Sequence, residues 1–536
     1  MAQAKNAVIL DRFRVEFSDK KGNTFTLARP WEFLSPRALQ RRSRYGIPIA
    51  LDDLPLAERY VEVVKGVGAK ELVRSRWFNT ITVQADSNQI AKIIKMPFVK
   101  SVRAVSKTRR LKESKPGSLQ IRQKSYKRLA NKYGYAKAQI EQLNGILLHD
   151  MGYDGRGMLV AVMDGGFQNV NEMPFFDSMR TEKRLVATHD FIDGDDFVFD
   201  HSNHGTNVFS TIAADLPGLM VGTAPKASYV LLKTEDVGSE SLIEEDNWVA
   251  GAEYADSIGV DVINSSLGYS TFEYPGMSYQ YADINGHRAR ITQGASRAAA
   301  KGLLIVNSAG NNGGDKWHYI GVPADADSIL AVGAVDKFGE RAYFSSFGPT
   351  ADGRIKPNVA ARGFETIVAS LSGYVVDSAS GTSFSSPVTA GMVASLWQAT
   401  RNKTNIEVIA ALQEASSQYA HPDDGLGYGV PDYYKAYYIL SDAIIDASSD
   451  QETFLNTADE LNIITRNPLF NPLNPDWYYI RMTDIFGHEV YSRDETATTE
   501  LHRHHVQFWD KLPSGSYTIF IRRGRNTYNL QVMKSH

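Results

Sequence analysis

Three hydrophobic rhythms follow one another along the chain. Over 8–17 apolar and polar residues alternate, the period of a half-buried strand. Ser35-Pro36-Arg37-Ala38-Leu39 then opens a short helix, with a serine placed to cap it and a proline in its first turn. A helical period covers 56–67, alternation returns over 78–85, a second helical stretch covers 88–94, and a last strand runs over 98–105. Strands with two helices on one face predict a small α+β sandwich over residues 1–105.

The rhythm changes between 134 and 445. Short apolar runs at 158–163, 228–232, 260–264, 303–306 and 329–333 alternate with helical patterns. Runs that are apolar on both faces belong to parallel sheets covered on both sides, so this stretch predicts one large α/β unit. Strict alternation returns over 455–536, at 477–482, 488–491, 517–522 and 528–533, with turns at Phe486-Gly487, Pro513-Ser514-Gly515 and Gly524. That pattern predicts a small antiparallel β-sandwich.

Composition narrows the function classes. A chain of 536 residues holds about two to four domains, and 43% apolar residues can build a core. A net charge of −3 gives no reason to expect nucleic acid or an anionic membrane as a partner. The absence of cysteine excludes disulfides, thiolate metal sites and a cysteine nucleophile. No apolar run approaches the ~20 residues of a membrane span. The N-terminus, MAQAKNAVIL, lacks the apolar core of a secretory signal, which leaves a cytoplasmic protein or one whose leader has been removed; Ala2-Gln3-Ala4 points to the second. Residues 106–133 stand apart: between Lys107 and Lys132 there are ten Lys or Arg and one acid, Glu113. Without interleaved aromatics this run reads as a solvated linker open to proteolysis rather than a nucleic-acid arm.

Candidate chemistry lies in the large unit. Asp164 ends the strand Val160-Ala161-Val162-Met163 and is followed by Gly165-Gly166, at the end of a parallel sheet where catalytic groups gather. His204, in Asn203-His204-Gly205-Thr206, starts a helical pattern. Ser383, in Ser380-Gly381-Thr382-Ser383-Phe384-Ser385-Ser386-Pro387, starts a long one, with Pro387 expected in its first turn. Taken singly, each has an ordinary structural explanation: a turn former, a packed histidine, a helix cap.

Together they are specific. The strings resemble the three signatures of the subtilisin-like serine proteases, in that family's order Asp, His, Ser and with fitting spacings, 204 − 164 = 40 and 383 − 204 = 179. Asn207 and Val388-Thr389 stand where the family more often has histidines that flank the triad. Asn264-Ser265-Ser266-Leu267-Gly268 is similar to the family's substrate-binding strand, and Ser308-Ala309-Gly310-Asn311 to the segment bearing its oxyanion-hole asparagine. The resemblance covers roughly residues 145–435. It implies a serine endopeptidase with Asp164, His204 and Ser383 as triad, Asn311 in the oxyanion hole, and a peptide or protein substrate paired with Ser266, Leu267 and Gly268 and with Gly238. Gly321 resembles the rear of the primary pocket and suggests large apolar P1 side chains. The reaction needs no cofactor. Relatives bind structural calcium, and the acids at 193, 195, 196 and 200 leave that alternative open; they match no standard calcium loop and read first as a solvated turn.

The flanking regions extend the resemblance. Residues 1–105 look like an inhibitory propeptide, which implies a self-processing zymogen cut within the basic linker. Residues 455–536 look like the C-terminal sorting domain of proteins exported by Bacteroidetes-type bacteria, through Asn467-Pro468, the stretch 480–490 and the stretch 512–517; the plain reading is an accessory β domain. The expected location is secreted or cell-surface. The order Asp, His, Ser excludes an α/β-hydrolase, and His204 argues against the acid-acting serine peptidases. The remaining alternative is a catalytically silent peptide binder.

Overall fold

The alternating stretch at the N-terminus forms strand β1 (Asp11–Phe17) in a computed structural model that describes residues 11–106, 128–200, 202–441, 453–456, 461–466, 477–496, 501–523 and 526–534. After β1 come α1 (Pro36–Arg44), α2 (Glu58–Gly66), β2 (Lys70–Ser75), β3 (Thr80–Ala85), α3 (Ser87–Ile93) and β4 (Val99–Ser106). The four strands make an antiparallel sheet in the order β2-β3-β1-β4. Val15, Phe17, Ile81 and Val83 on one face meet Tyr60, Val61 and Val64 of α2 and Ile90 and Ile93 of α3. Ser35 caps α1 as its position suggests, accepting the Ala38 N–H at 3.2 Å. The sequence reading missed β2, whose Lys70-Glu71-Leu72-Val73-Arg74-Ser75 carries only a fragment of alternation. The central part of the basic linker, 107–127, and the first residues of the expected 8–17 strand lie outside the described residues.

The large unit follows with β5 (Leu159–Asp164), β6 (Leu185–Asp190), α4 (His204–Ala213), β7 (Ser228–Lys233), α5 (Ile243–Ile258), β8 (Val262–Ser265), α6 (Arg290–Ala300), β9 (Leu304–Ser308), β10 (Leu330–Val335), β11 (Val359–Arg362) and α7 (Thr382–Ala399). Seven strands form one parallel sheet in the order β11-β10-β9-β8-β5-β7-β6. All five expected strands are in it. The two unexpected ones lack the signal: β6 is a half-exposed edge strand, and β11 has only four residues. From β5 the chain goes out to β6, returns through β7, and then crosses β5 to build β8 to β11. Such a reversal opens a crevice at the carboxyl ends of the strands.

The N-terminal sheet packs on α5, and charge organises the contact. Glu253 accepts the N–H groups of Arg76 at 2.7 Å and Trp77 at 3.1 Å and the Ser75 hydroxyl. Asp246 pairs with Arg14 at 2.7 Å and with Arg290 of α6, and accepts the Thr82 hydroxyl at 2.9 Å. Asp256, wholly buried, is held by Arg41, by Arg42 at 2.9 Å and by Arg76 at 3.0 Å. Helix α1 therefore serves the contact with the large domain rather than the N-terminal core. Trp77 is buried within the large domain's own core beside Trp248 and Val249.

The described residues fall into two separately packed units, 1–436 and 437–536. The second contains two antiparallel sheets. With β12 (Thr453–Asn456), β13 (Leu461–Arg466), β14 (Trp477–Asp484), β15 (Glu489–Thr496), β16 (Leu501–His505), β17 (Gly515–Arg523) and β18 (Asn526–Lys534), their orders are β12-β13-β16 and β15-β14-β17-β18. Ile480 and Met482 face inward opposite Ile521 and Ile519, with Tyr478 and Tyr517, two residues before Ile480 and Ile519, in the same core, as the period of two requires. Among the described residues no helix is long and apolar enough to cross a membrane.

Removing one member of a buried charge group leaves the others uncompensated, at a cost of about 3–5 kcal/mol. Asp256→Ala is therefore expected to lower the stability of the intact chain by that amount, read as a shift of its denaturant midpoint. A shift worth less than about 1 kcal/mol would show that Arg41, Arg42 and Arg76 do not depend on this carboxylate.

Candidate active site

Asp164 closes β5 and is 1% exposed; the Gly165 N–H donates to its Oδ1 at 2.8 Å. The first turn of α4 comes down on this carboxylate and places His204 Nδ1 2.9 Å from both of its oxygens. The approach requires a glycine at the next position. A Cβ on Gly205 would stand 2.2 Å from the Gly166 carbonyl oxygen and 2.9 Å from Asp164 Cβ. The Thr206 hydroxyl, donating to the Gln168 carbonyl at 2.7 Å, ties the helix start to the loop after β5. An ionised carboxylate only accepts, so Nδ1 carries the proton and Nε2 is left as the basic atom. The Asp164 charge, acting against burial, holds the imidazolium up to about 9.

Ser383 lies in the first turn of α7 and is 8% exposed. Here the structure corrects the sequence reading. The helix starts at Thr382, so Pro387 sits in its second turn, where its missing N–H would have bonded the Ser383 carbonyl. The Ser266 hydroxyl fills that place, donating to the Ser383 carbonyl at 2.9 Å. Ser266 Oγ in turn accepts Asn264 Nδ2–H at 3.2 Å, and Asn264 Oδ1 accepts the Ser386 hydroxyl at 2.9 Å. The Ser383 hydroxyl donates to the Ser266 carbonyl at 3.4 Å. The proline thus exchanges a helical bond for one that ties the nucleophile candidate's backbone to the strand beside it.

Asn311 follows β9. Its Oδ1 accepts both the Thr382 N–H at 2.8 Å and the Thr382 hydroxyl at 3.0 Å. With the oxygen fixed by two donors, Nδ2 is the atom presented to the cleft. One cleft is lined by Asp164, His204, Ser266, Leu267, Gly268, Asn311, Gly321 and Ser383 together. Gly238 is not among its lining residues; it lies in an exposed turn folded back on Asp236, whose Oδ1 accepts the Gly238 N–H at 3.0 Å. Gly321 lines the cleft, but the reason for glycine is a close backbone approach: a Cβ there would meet the Tyr269 carbonyl oxygen at 2.9 Å.

Sequence reasoning missed two residues. Thr382 sets the Asn311 amide, and it stood inside the string already singled out. Glu235 lines the same cleft, two residues beyond the end of β7. An acid at the carboxyl end of a buried strand is the signal that selected Asp164, and it applied equally to Glu235.

Of the acids expected in a solvated turn, Asp195 and Asp196 are exposed there, Asp196 facing His189 at 2.8 Å, while Asp193 and Asp200 lie with Asp190 around an ammonium. Lys233 Nζ is 2.7 Å from Asp190, 3.4 Å from Asp193 and 3.9 Å from Asp200. A lysine at the centre of this group does not fit a calcium cage. Among the described residues no group of three or more His, Asp or Glu is placed to hold a metal.

A strand-end carboxylate, an imidazole oriented by it, a hydroxyl at a helix start and a fixed amide donor, gathered on a parallel sheet, define a serine peptidase architecture. Residues 155–429 match the profile of the subtilase family, peptidase S8, and residues 12–120 match the propeptide domain of S8 peptidases from Bacteroidota. Subtilisin DY of Bacillus licheniformis is 33% identical over 248 residues, 45% of this chain and 77% of that protein. Subtilisin E of Bacillus subtilis is 31% identical over 283 residues, 52% of this chain and 65% of that protein. Bacillopeptidase F of Bacillus subtilis is 25% identical over 413 residues, 72% of this chain and 28% of that protein. The chain belongs to the subtilase family; it is a subtilisin-like serine peptidase that carries a family propeptide.

A double-mutant cycle tests the Ser266–Pro387 exchange. Ser266→Ala leaves the Ser383 carbonyl buried without a donor and is expected to destabilise by ~1–3 kcal/mol in denaturant melts. Pro387→Ala restores an N–H to the helix and should recover part of that loss in the Ser266→Ala background only. Strictly additive effects would mean the two do not share the carbonyl.

Proposed function

We propose that this chain is the zymogen of an endopeptidase that cleaves its own linker and then other polypeptides. The observation that carries the reading is the Asp164–His204 pair at 2.9 Å in one cleft with Ser383 and Asn311. In this reading the substrate adds a strand along Ser266-Leu267-Gly268, held by backbone hydrogen bonds. The Ser383 hydroxyl turns from the Ser266 carbonyl to His204 Nε2, which takes its proton as Ser383 Oγ attacks the scissile carbonyl. Asp164 keeps the imidazole in the required tautomer and stabilises the imidazolium. Asn311 Nδ2–H and the Ser383 N–H receive the oxyanion; one donor of this kind is worth about 10²–10³ in kcat. The imidazolium then protonates the leaving amine. Water, deprotonated by His204, hydrolyses the acyl-enzyme. No step involves calcium.

The N-terminal domain is proposed to hold the large domain ready and inactive until residues 106–133 are cut. Support comes from the interface on α5 and from the family propeptide match over residues 12–120. We further propose export to the cell exterior or surface, with the C-terminal unit serving sorting or attachment.

Two measurements test the reading. Wild-type chain incubated alone should yield fragments whose new N-termini fall in 106–133, while Ser383→Ala should stay intact and fail to react with a fluorophosphonate probe. An uncut wild type whose Ser383 is not labelled would instead indicate the silent peptide binder. The second is the pH profile. The base must be neutral, and Asp164 holds His204 up to about 9, so kcat/KM should climb with pH through the neutral range and level off near 9. A limb complete by pH ~6.5, the ordinary histidine value, would show that Asp164 does not set the base.

A further inference from the structure

Two groups of acids in the large domain differ in their partners. Asp246, Glu253 and Asp256 on α5 are matched by arginines or N–H donors. Glu235, Asp236, Glu240, Glu244 and Glu273, where β7 ends beside the cleft, pair with no lysine or arginine among the described residues. Glu235 lines the cleft with Asp164 and His204, and its Oε2 lies 3.9 Å from where a Cβ on Gly165 would stand. Behind it are buried polar groups that lack a partner. Glu244 is 0% exposed; its Oε2 accepts the Ser241 N–H at 3.0 Å while Oε1 has none. The Tyr269 hydroxyl, 1% exposed, faces the charges of Glu235, Glu244 and Glu240 and has no partner, and neither has Thr234 Oγ1 or Ser241 Oγ.

Desolvation and mutual repulsion disfavour the charged forms of Glu235, Glu240 and Glu244. Burial, with Asp164 and Glu240 nearby, pushes Glu235 up to about 8. Burial and Glu273 push Glu240 to about 7, and burial and Glu240 push Glu244 to about 10. A cation entering the group would favour their charged forms.

Topology decides which substrate position meets them. Across the carboxyl end of the sheet the order is Asn311 after β9, Ser266 to Gly268 after β8, Asp164 after β5 and Glu235 after β7. Gly310, Asn311 and Gly321 thus lie on one side of the 266–268 segment, and His204 and Glu235 on the other. Neighbouring side chains of an extended peptide point to opposite sides. If P1 enters beside Gly321, P2 turns toward His204 and Glu235.

We propose that the cleft selects a lysine or arginine at P2, its charge held by Glu235. The proposal rests on the serine-peptidase reading above and names its substrate class. The chain carries such a sequence itself: residues 107–127 hold eight Lys or Arg and one acid, and Arg110-Leu111 is the place in that stretch where an apolar residue directly follows a basic one.

The test uses fluorogenic peptides spanning residues 107–115, with Arg110 kept or replaced by Gln or Glu, and the processed enzyme as wild type, Glu235→Gln and Glu235→Lys. Wild type should cut after Leu111 with kcat/KM roughly tenfold or more higher for Arg than for Gln. That ratio should collapse toward one in Glu235→Gln, and Glu235→Lys should favour the Glu peptide. In wild type the ratio should also shrink as salt rises from about 0.05 to about 0.5 M. Equal turnover of the Arg and Gln peptides by wild type overturns the proposal, as does a ratio unchanged in Glu235→Gln. Should the variants fail to fold, a wild-type ratio indifferent to salt overturns it. Failure to cut any peptide by an enzyme whose Ser383 reacts with fluorophosphonate overturns the P2 assignment alone; failure of labelling as well overturns the peptidase reading with it.

Discussion

The approach of the first turn of α4 to the end of β5 is the constraint on which the site depends. A histidine orients on a buried carboxylate only if two backbones come nearly into contact, and the 2.2 Å that would separate a Cβ at Gly205 from the Gly166 carbonyl oxygen leaves room for hydrogen alone. Once that contact is made, the rest is placed by strand ends. Asp164, Glu235, Ser266 and Asn311 all follow parallel strands on one edge of the sheet, so their mutual positions inherit the rigidity of its ladder. His204 and Ser383 come instead from the first turns of helices, and each helix start is tied to the sheet side by a hydroxyl: Thr206 donates to the Gln168 carbonyl, and the Ser383 carbonyl is claimed from outside its own helix. The hydroxyl of Ser266 supplies that tie because Pro387 has left the Ser383 carbonyl unclaimed.

The same economy of partners explains the N-terminal domain. Helix α5 presents Asp246, Glu253 and Asp256 on the face that meets the small sheet, and each is a buried anion that would be costly without donors. The N-terminal domain brings Arg14, Arg41, Arg42 and Arg76 together with the N–H groups of Arg76 and Trp77. Recognition between the two is therefore written in charge placement, with Trp77 adding apolar burial. This specifies how the domains dock more than how strongly, since desolvation of so many ions offsets much of their attraction.

How much of this could be read from the chain alone depends on how local each signal is. The five buried strands were legible, and so were the three strings whose side chains meet in one cleft, because a continuous apolar run and a glycine-flanked polar residue are properties of a few adjacent residues. The strand β6 was not, because an edge strand exposes one side and loses the run. The partner of Pro387 was not, because Ser266 lies 117 residues away. Lys233 was invisible for the same reason: the acids at 193 and 200 looked like a free turn until the fold brought an ammonium between them. Gly321 lines the cleft, but its reason for being glycine, the Tyr269 backbone, is again non-local.

Those non-local pairings separate structural charge from charge kept for something else. Folding has supplied a cation or a set of N–H donors to Asp190, Asp246, Glu253 and Asp256, though their partners come from far along the sequence. A chain that answers buried acids so consistently leaves the half-buried Glu235 and Glu240 without a lysine or arginine, and one oxygen of Glu244 without a partner, in one region near the cleft, together with the hydroxyls of Tyr269, Thr234 and Ser241. Unpaired polar groups inside a well-packed domain cost stability, and strain of this kind concentrates where a protein meets its ligand. Glu235 lies on the side of the 266–268 segment opposite Gly321. The missing cation is therefore expected from outside the folded domain, on the substrate residue that faces away from the primary pocket.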